Sequence, residues 1–174
     1  MSDKREKYVN WQEYFMILAL ASSLRSKDPR CQVGCCIVDP NTHKVLSLGY
    51  NGFPRGIDDD EFPWSKSSEN YSEQKFAYVV HAELNAILNA DKPLNGAHMY
   101  VMSFPCNECC KAILQSGIEK IFYLNKYDEG SQSIIASHKM LDAAKIKVAQ
   151  IEYSNPIIKY MQEYSESGKA ITIK

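Results

Sequence analysis

Two short segments, His81-Ala82-Glu83 and Pro105-Cys106-Asn107-Glu108-Cys109, limit the folds open to this chain more than any other feature. Each opens an expected helix: Ala82 to Ala90 is alanine-rich, and Pro105 leads a helix from Cys106 to Gln115 that Gly117 closes as a C-cap. Singly, a lone His is more often a satisfied core or surface residue, and a lone C-x-x-C reads as a redox pair as readily as a metal clamp. Together they supply one imidazole and two thiolates, the three protein ligands of an open zinc site whose fourth position stays available. A closed structural site would need another ligand, and no second His or Cys stands at finger-like spacing. The fold must then bring two helix N-termini together, where their positive ends favour thiolate and hydroxide.

Glu83 follows His81 by two positions, which on a helix turns it about 200° away from that residue. It is placed to face whatever occupies the open position, as a general base and acid. The alternative is a first-turn carboxylate that only complements the helix dipole.

The chain has 174 residues, 45% apolar, 11% aromatic and 24% charged. These values fit one compact domain over residues 1–174 and exclude a disordered tract, a collagen-like repeat or a coiled coil. Twenty Lys and Arg against 21 Asp and Glu leave a net charge of −1, so the attraction that sequence-independent nucleic-acid binders use is missing. No apolar run approaches the roughly 20 residues of a membrane helix, and no signal peptide precedes Trp11. A cytoplasmic protein without membrane or polymeric nucleic-acid partners is expected. In a reducing compartment its six cysteines imply metal or redox chemistry before disulfides.

Asn10 and Glu13 form the N-x-x-E helix opening, followed by apolar residues at Trp11, Tyr14, Phe15, Leu18, Ala21 and Leu24, and Asp28-Pro29 should end this helix. Val33 to Val38 and Lys44 to Gly49 read as a hairpin around Asp39-Pro40-Asn41-Thr42. Asn51 to Gln74 is a long polar loop. Beyond it, strands at Met99 to Met102, Ile121 to Leu124 and Ile146 to Tyr153 alternate with helices, including Ser133 to Ala144, and a closing helix is expected at Pro156 to Tyr164 within a tail at 154–174. The expected fold class is α/β: a mixed sheet of about five strands, covered by helices on both faces in three layers.

H-x-E followed by P-C-x-x-C matches the signature of zinc-dependent nucleobase deaminases. Within that group the chain resembles the deoxycytidylate (dCMP) deaminases. The likeness is carried by Ser22-Ser23-Leu24-Arg25-Ser26-Lys27-Asp28-Pro29, by Gly49-Tyr50-Asn51-Gly52-Phe53-Pro54-Arg55-Gly56, by His81 to Ile87 and by Phe104 to Cys109, and runs from about Trp11 to Tyr153. The resemblance implies the cytidine-deaminase-like fold and hydrolysis of dCMP to dUMP and ammonia by zinc-activated hydroxide, feeding thymidylate synthesis. It implies one zinc on His81, Cys106 and Cys109, with Glu83 as the catalytic carboxylate and Asn51 near the sugar. It further implies a hexamer activated by dCTP with magnesium and inhibited by dTTP, with Gly52, Phe53, Arg55 and Gly56 in the effector stretch.

Other residues admit two readings. Arg25, Ser26 and Lys27, with Arg30 close by, could meet the substrate, the cations serving its phosphate; the cations could equally complement a helix C-terminus. Asn51-Gly52 could be only a turn. Tyr127 offers a ring for the base to rest on, or is a surface tyrosine. Cys35, Cys36 and Cys110 read as packing residues, and the insert 51–74 holds no Cys or His for a second zinc. The rival functions are a deaminase of free nucleosides or tRNA, a non-catalytic zinc module, and a redox protein using Cys106 and Cys109.

Overall fold

Helix α1, Trp11–Ser23, begins where the sequence says it should. The Asn10 side chain accepts from the Glu13 N–H at 2.9 Å and Glu13 accepts from the Asn10 N–H at 3.0 Å, a reciprocal cap. It ends before Asp28, because Ser22 and Ser23 turn their hydroxyls back onto the Leu18 and Leu20 carbonyls and the next amides bond three residues back. The computed structural model describes residues 5–6, 8–152 and 158.

The chain continues through β1 (Gly34–Val38), β2 (Val45–Tyr50), α2 (Ala82–Leu88), β3 (His98–Ser103), α3 (Asn107–Gln115), β4 (Lys120–Asn125), α4 (Gln132–Ala143) and β5 (Lys147–Gln150). The five strands form one sheet ordered β2-β1-β3-β4-β5. β1 is antiparallel to β2 and β3, with Cys36 opposite Leu48 and Tyr100, whereas β3, β4 and β5 are parallel. The mixed sheet and the hairpin agree with the sequence. The insert is not featureless: a bridge joins Gly52 to Val80, and two 3-10 turns occupy Tyr71–Glu73 and Lys75–Ala77. The strand expected over 146–153 is shorter, and the closing helix and tail lie outside the described residues except for Ile158, which is helical and buried.

Alternation along the strands builds two cores. Cys36, Val38, Tyr100, Met102, Phe122 and Leu124 face Phe15, Met16, Ala19 and Leu20 of α1. Cys35, Ile37, Met99, Val101 and Ile121 face the layer of α2, α3 and α4 through Ala82, Ala86, Ile113, Ile134 and Leu141. Burying each large side chain of these cores contributes about 1.5–3 kcal/mol. Cys35, Cys36 and Cys110 are packing residues in them.

The buried face of α1 is rotated from the expected stripe. Trp11 and Tyr14 are exposed and Met16 and Ala19 are inside. Gly34 explains the shift: a Cβ there would lie 1.8 Å from the Ala19 carbonyl oxygen, so the helix rests its Ala19 backbone on β1. Trp11 instead stacks on His43, ring centroids 4.2 Å apart.

The C-terminal ends of β2, β3 and β4 and the N-terminal end of β1 share one edge of the sheet. The segments leaving and entering there, 28–33, 51–53, 104–106 and 126–131, gather around the N-termini of α3 and α4. In an α/β sheet this is where ligands bind.

Candidate active site

His81 is the N-cap of α2 and Cys106 the N-cap of α3. Three contacts set the position of α2. Gly49 lets the helix backbone rest on β2, Ser47 Oγ donates to the Ala86 carbonyl at 2.7 Å, and Asn85 Nδ2 donates to the Tyr50 carbonyl at 2.7 Å. The Gly52–Val80 bridge, bonds of 3.1 and 2.8 Å, delivers the chain to His81 from the other side. Helix α3 is tied to α4, since the Asn107 N–H donates to Ser133 Oγ at 3.2 Å and that hydroxyl donates to Asn107 Oδ1 at 2.6 Å.

These constraints place His81 Nδ1 3.4 Å from Cys106 Sγ and 3.5 Å from Cys109 Sγ, with all three donor atoms within 4.8 Å of one another. A tetrahedral zinc with Zn–N of about 2.05 Å and Zn–S of about 2.3 Å would separate nitrogen from sulfur by about 3.6 Å. The donor set and its spacing therefore fit zinc. Cys109 is buried, Cys106 is half-buried and His81 is open to solvent, so the cluster is closed on the protein side and accessible from the cleft. Hydrogen bonds from Cys109 and His81 pull the Cys106 thiol down to about 4. Cys109, which donates to Cys106 and is buried, is pushed up. His81 is raised chiefly by its bond to Cys106. A bound dication would remove both thiol protons.

Glu83 is 5% exposed, and burial raises its carboxyl above the usual range while His81 partly offsets the rise. It lines a cleft of about 470 Å³ together with His81, Cys106, Asn51 and Tyr127. A buried carboxyl that can both take and hold a proton beside an open metal position is equipped for acid-base chemistry. Tyr127 lines the cleft yet is 48% exposed, and partial desolvation there raises its phenol.

Asn51 is buried, and its amide is already engaged: Oδ1 accepts from the Val33 N–H at 2.8 Å, and Nδ2 donates to the Cys31 carbonyl at 2.9 Å. Ser26 does not line the cleft; its hydroxyl donates to the Asn51 carbonyl at 2.8 Å. Arg25 and Lys27 do not line it either, and Lys27 is held in an exposed ion pair with Asp59. Their charge is therefore not presented to the cleft, contrary to the sequence expectation. The cations that do line it are Lys66, beside the Phe76 ring, and buried Lys75. Neither carries a recognisable motif. Lys75 reveals itself only through the fold, which pairs it with buried Asp28.

The stretch expected to take an effector does not line this cleft, although it begins beside Asn51 in its wall. Gly52 sits in the bridge, Phe53 stacks on Trp64 at 4.1 Å between centroids with Phe62 and Tyr78 alongside, and Arg55 bonds to Asn89. Gly56 has φ +88 and open space around its Cα.

Residues 9–125 match the family described as the cytidine and deoxycytidylate deaminase zinc-binding region. A probable deoxycytidylate deaminase of Drosophila melanogaster is 47% identical over 152 residues, which cover 84% of this chain and 74% of that protein. The deoxycytidylate deaminase of Homo sapiens is 47% identical over 135 residues, covering 76% of this chain and 75% of that one. Among solved structures, the dCMP deaminase of cyanophage S-TIM5 in complex with dCMP and dUMP aligns with a TM-score of 0.65 at 25% identity, over 84% of this chain and 100% of that one.

Proposed function

Because this chain belongs to the cytidine and deoxycytidylate deaminase family and is a zinc-dependent hydrolase, we propose that it converts dCMP and water to dUMP and ammonia, supplying dUMP for thymidylate synthesis. The observation that carries the reading is the convergence of His81, Cys106 and Cys109 with buried Glu83 on one cleft. When bound, zinc lowers the pKa of water toward neutrality and makes it a nucleophile. With zinc held by His81, Cys106 and Cys109, Glu83 would take a proton from the activated water and deliver it to the cytosine ring nitrogen. The water oxygen adds to the ring carbon that bears the amine; Glu83 then carries the remaining hydroxyl proton to the amine, and the carbon–nitrogen bond breaks to release ammonia as the new carbonyl forms. The protonatable carboxyl stays dry between these transfers, which a raised pKa favours.

The cleft suits a nucleotide in size and lining. Tyr127 offers a ring to the base, and the wall at Asn51 is fixed by the bonds described above. The phosphate is met by Lys66, the exposed cation of the cleft rim. Arg25 and Lys27 contribute charge only at longer range, and Ser26 acts by holding Asn51.

Regulation is part of the proposal: dCTP with magnesium activates, dTTP inhibits, and the working assembly is a hexamer in the cytoplasm. Support comes from the sequence likeness of the Gly52 to Gly56 stretch and from its position beside the Phe53–Trp64 aromatic cluster rather than in the catalytic cleft.

The test is a substrate panel of dCMP, dCTP, deoxycytidine and a tRNA anticodon loop, each run with and without dCTP and magnesium. Turnover is expected to favour dCMP, with a sigmoidal saturation curve that becomes hyperbolic with the activator. Equal or better turnover of another substrate rejects the substrate assignment. A curve that is hyperbolic and unmoved by dCTP rejects the regulation.

A further inference from the structure

Lys75 is 4% exposed, yet it lines the catalytic cleft. A lysine is almost never buried without a partner, and here Asp28, itself 2% exposed, supplies it. Asp28 is saturated: one carboxylate oxygen accepts from the Arg30 N–H at 2.9 Å and the Cys31 N–H at 3.1 Å, and the other takes Lys75 and the Asn51 amide at 3.5 Å. These four donors fill the roughly four lone-pair sites of a carboxylate. Lys75 is not saturated. Its ammonium has three N–H donors, and Asp28 is its only hydrogen-bond partner among the described residues.

We propose that Lys75 is a substrate-recognition residue whose unused N–H donors bind the sugar 3'-hydroxyl of a deoxynucleotide. The inference rests on the nucleotide reading of the cleft. The Asp28–Lys75 pair is neutral as a unit, so a phosphate dianion seated on it would meet the Asp28 carboxylate as well as the ammonium. A hydroxyl has no such penalty and accepts from the free N–H. The location agrees. Lys75 is buried in the wall of the same cleft that His81, Glu83 and Cys106 line, while Lys66 stands exposed at it. A substrate lacking the hydroxyl would leave the remaining Lys75 N–H donors without an acceptor in a buried setting, which a site of this kind rejects.

The experiment compares kcat/KM for dCMP and for 2',3'-dideoxycytidine monophosphate. The wild-type protein is expected to prefer dCMP by about tenfold to a hundredfold. In Lys75→Met the preference is expected to collapse to about twofold or less, with most of the loss falling on dCMP, as a cycle between residue and hydroxyl requires. Lys75→Met strands a buried carboxylate, so the neutral pair Asp28→Asn with Lys75→Met is measured alongside, with zinc content and thermal melting as checks of folding. A wild-type protein indifferent to the hydroxyl overturns the proposal, and so does a folded variant that discriminates as well as wild type does. If the protein works on another deoxynucleotide, the same ratio is taken with its dideoxy counterpart, so failure of the substrate reading is seen separately.

Discussion

Gly49 and Ala82 bring β2 and α2 together backbone to backbone: a Cβ on Gly49 would lie 2.4 Å from the Ala82 carbonyl oxygen and 2.4 Å from the Ala86 nitrogen. Ala82 stands between His81 and Glu83, so the clearance at Gly49 sets the position of the proposed zinc ligand and of the proposed proton-transfer carboxyl together. Gly49→Ala is expected to lower stability by about 1–3 kcal/mol through overpacking and to reduce both zinc per chain and kcat. Gly56→Ala is the control. Its cost comes from the positive φ alone, about 1 kcal/mol, and its zinc content should be unchanged. Thermal melting with atomic absorption on the two variants checks the pair.

Glu83→Gln keeps the shape of the buried side chain and removes its acid-base capacity. Zinc is expected to stay bound, because His81, Cys106 and Cys109 are untouched. Turnover is expected to fall by about 10²–10⁴-fold, the usual contribution of a positioned acid-base group. Metal analysis and steady-state kinetics on one preparation decide it. Undiminished kcat would remove Glu83 from the mechanism.

The clustering of His81, Cys106 and Cys109 beside Glu83 was legible because the proposed chemistry fixes both residue type and spacing, and the bounds of α1 and α3 follow local rules at Asn10, Pro105 and Gly117. The mixed sheet was legible from alternating strands and helices. Of the cleft wall, Asn51 and Tyr127 were legible, but Asp28 and Lys75 were not. Asp28 reads as part of an Asp-Pro turn and Lys75 as one charge in a polar insert, and only tertiary packing across the insert buries them against each other. Arg25 and Lys27 fail in the opposite sense. Their clustering suggested a phosphate site, but Lys27 is turned onto Asp59 once the loop folds back. The face of α1 was misjudged because periodicity counts side chains, whereas Gly34 lets the backbone at Ala19 make the closest approach.

The six cysteines should separate into classes by alkylation. Cys35, Cys36, Cys109 and Cys110 are buried, and burial raises the Cys36 thiol to about 12, so they should resist iodoacetamide in the folded protein. Cys31 and Cys106 are partly exposed. With zinc bound, Cys31 alone is expected to react readily; after chelation Cys106 should join it. Peptide mass mapping before and after chelator treatment checks this, and labelling of Cys106 that is indifferent to zinc would contradict its place as a ligand.

Lys66 is exposed at the cleft, and among the described residues its recorded side-chain contact is the Phe76 ring, with Nζ 5.9 Å from the centroid. If it meets the phosphate, Lys66→Ala should raise KM for dCMP with little change in kcat, since Lys66 is outside the His81, Cys106, Cys109 and Glu83 group to which the chemistry is assigned. An exposed charge pair contributes about 1 kcal/mol or less in water and more where the ligand excludes solvent, which corresponds to a rise in KM of about fivefold or more. Deoxycytidine lacks the phosphate, so its kinetics should be the same for variant and wild type. Added salt should weaken dCMP binding in the wild type more than in the variant. An equal effect of Lys66→Ala on dCMP and deoxycytidine would show that the residue shapes the cleft without contacting the phosphate.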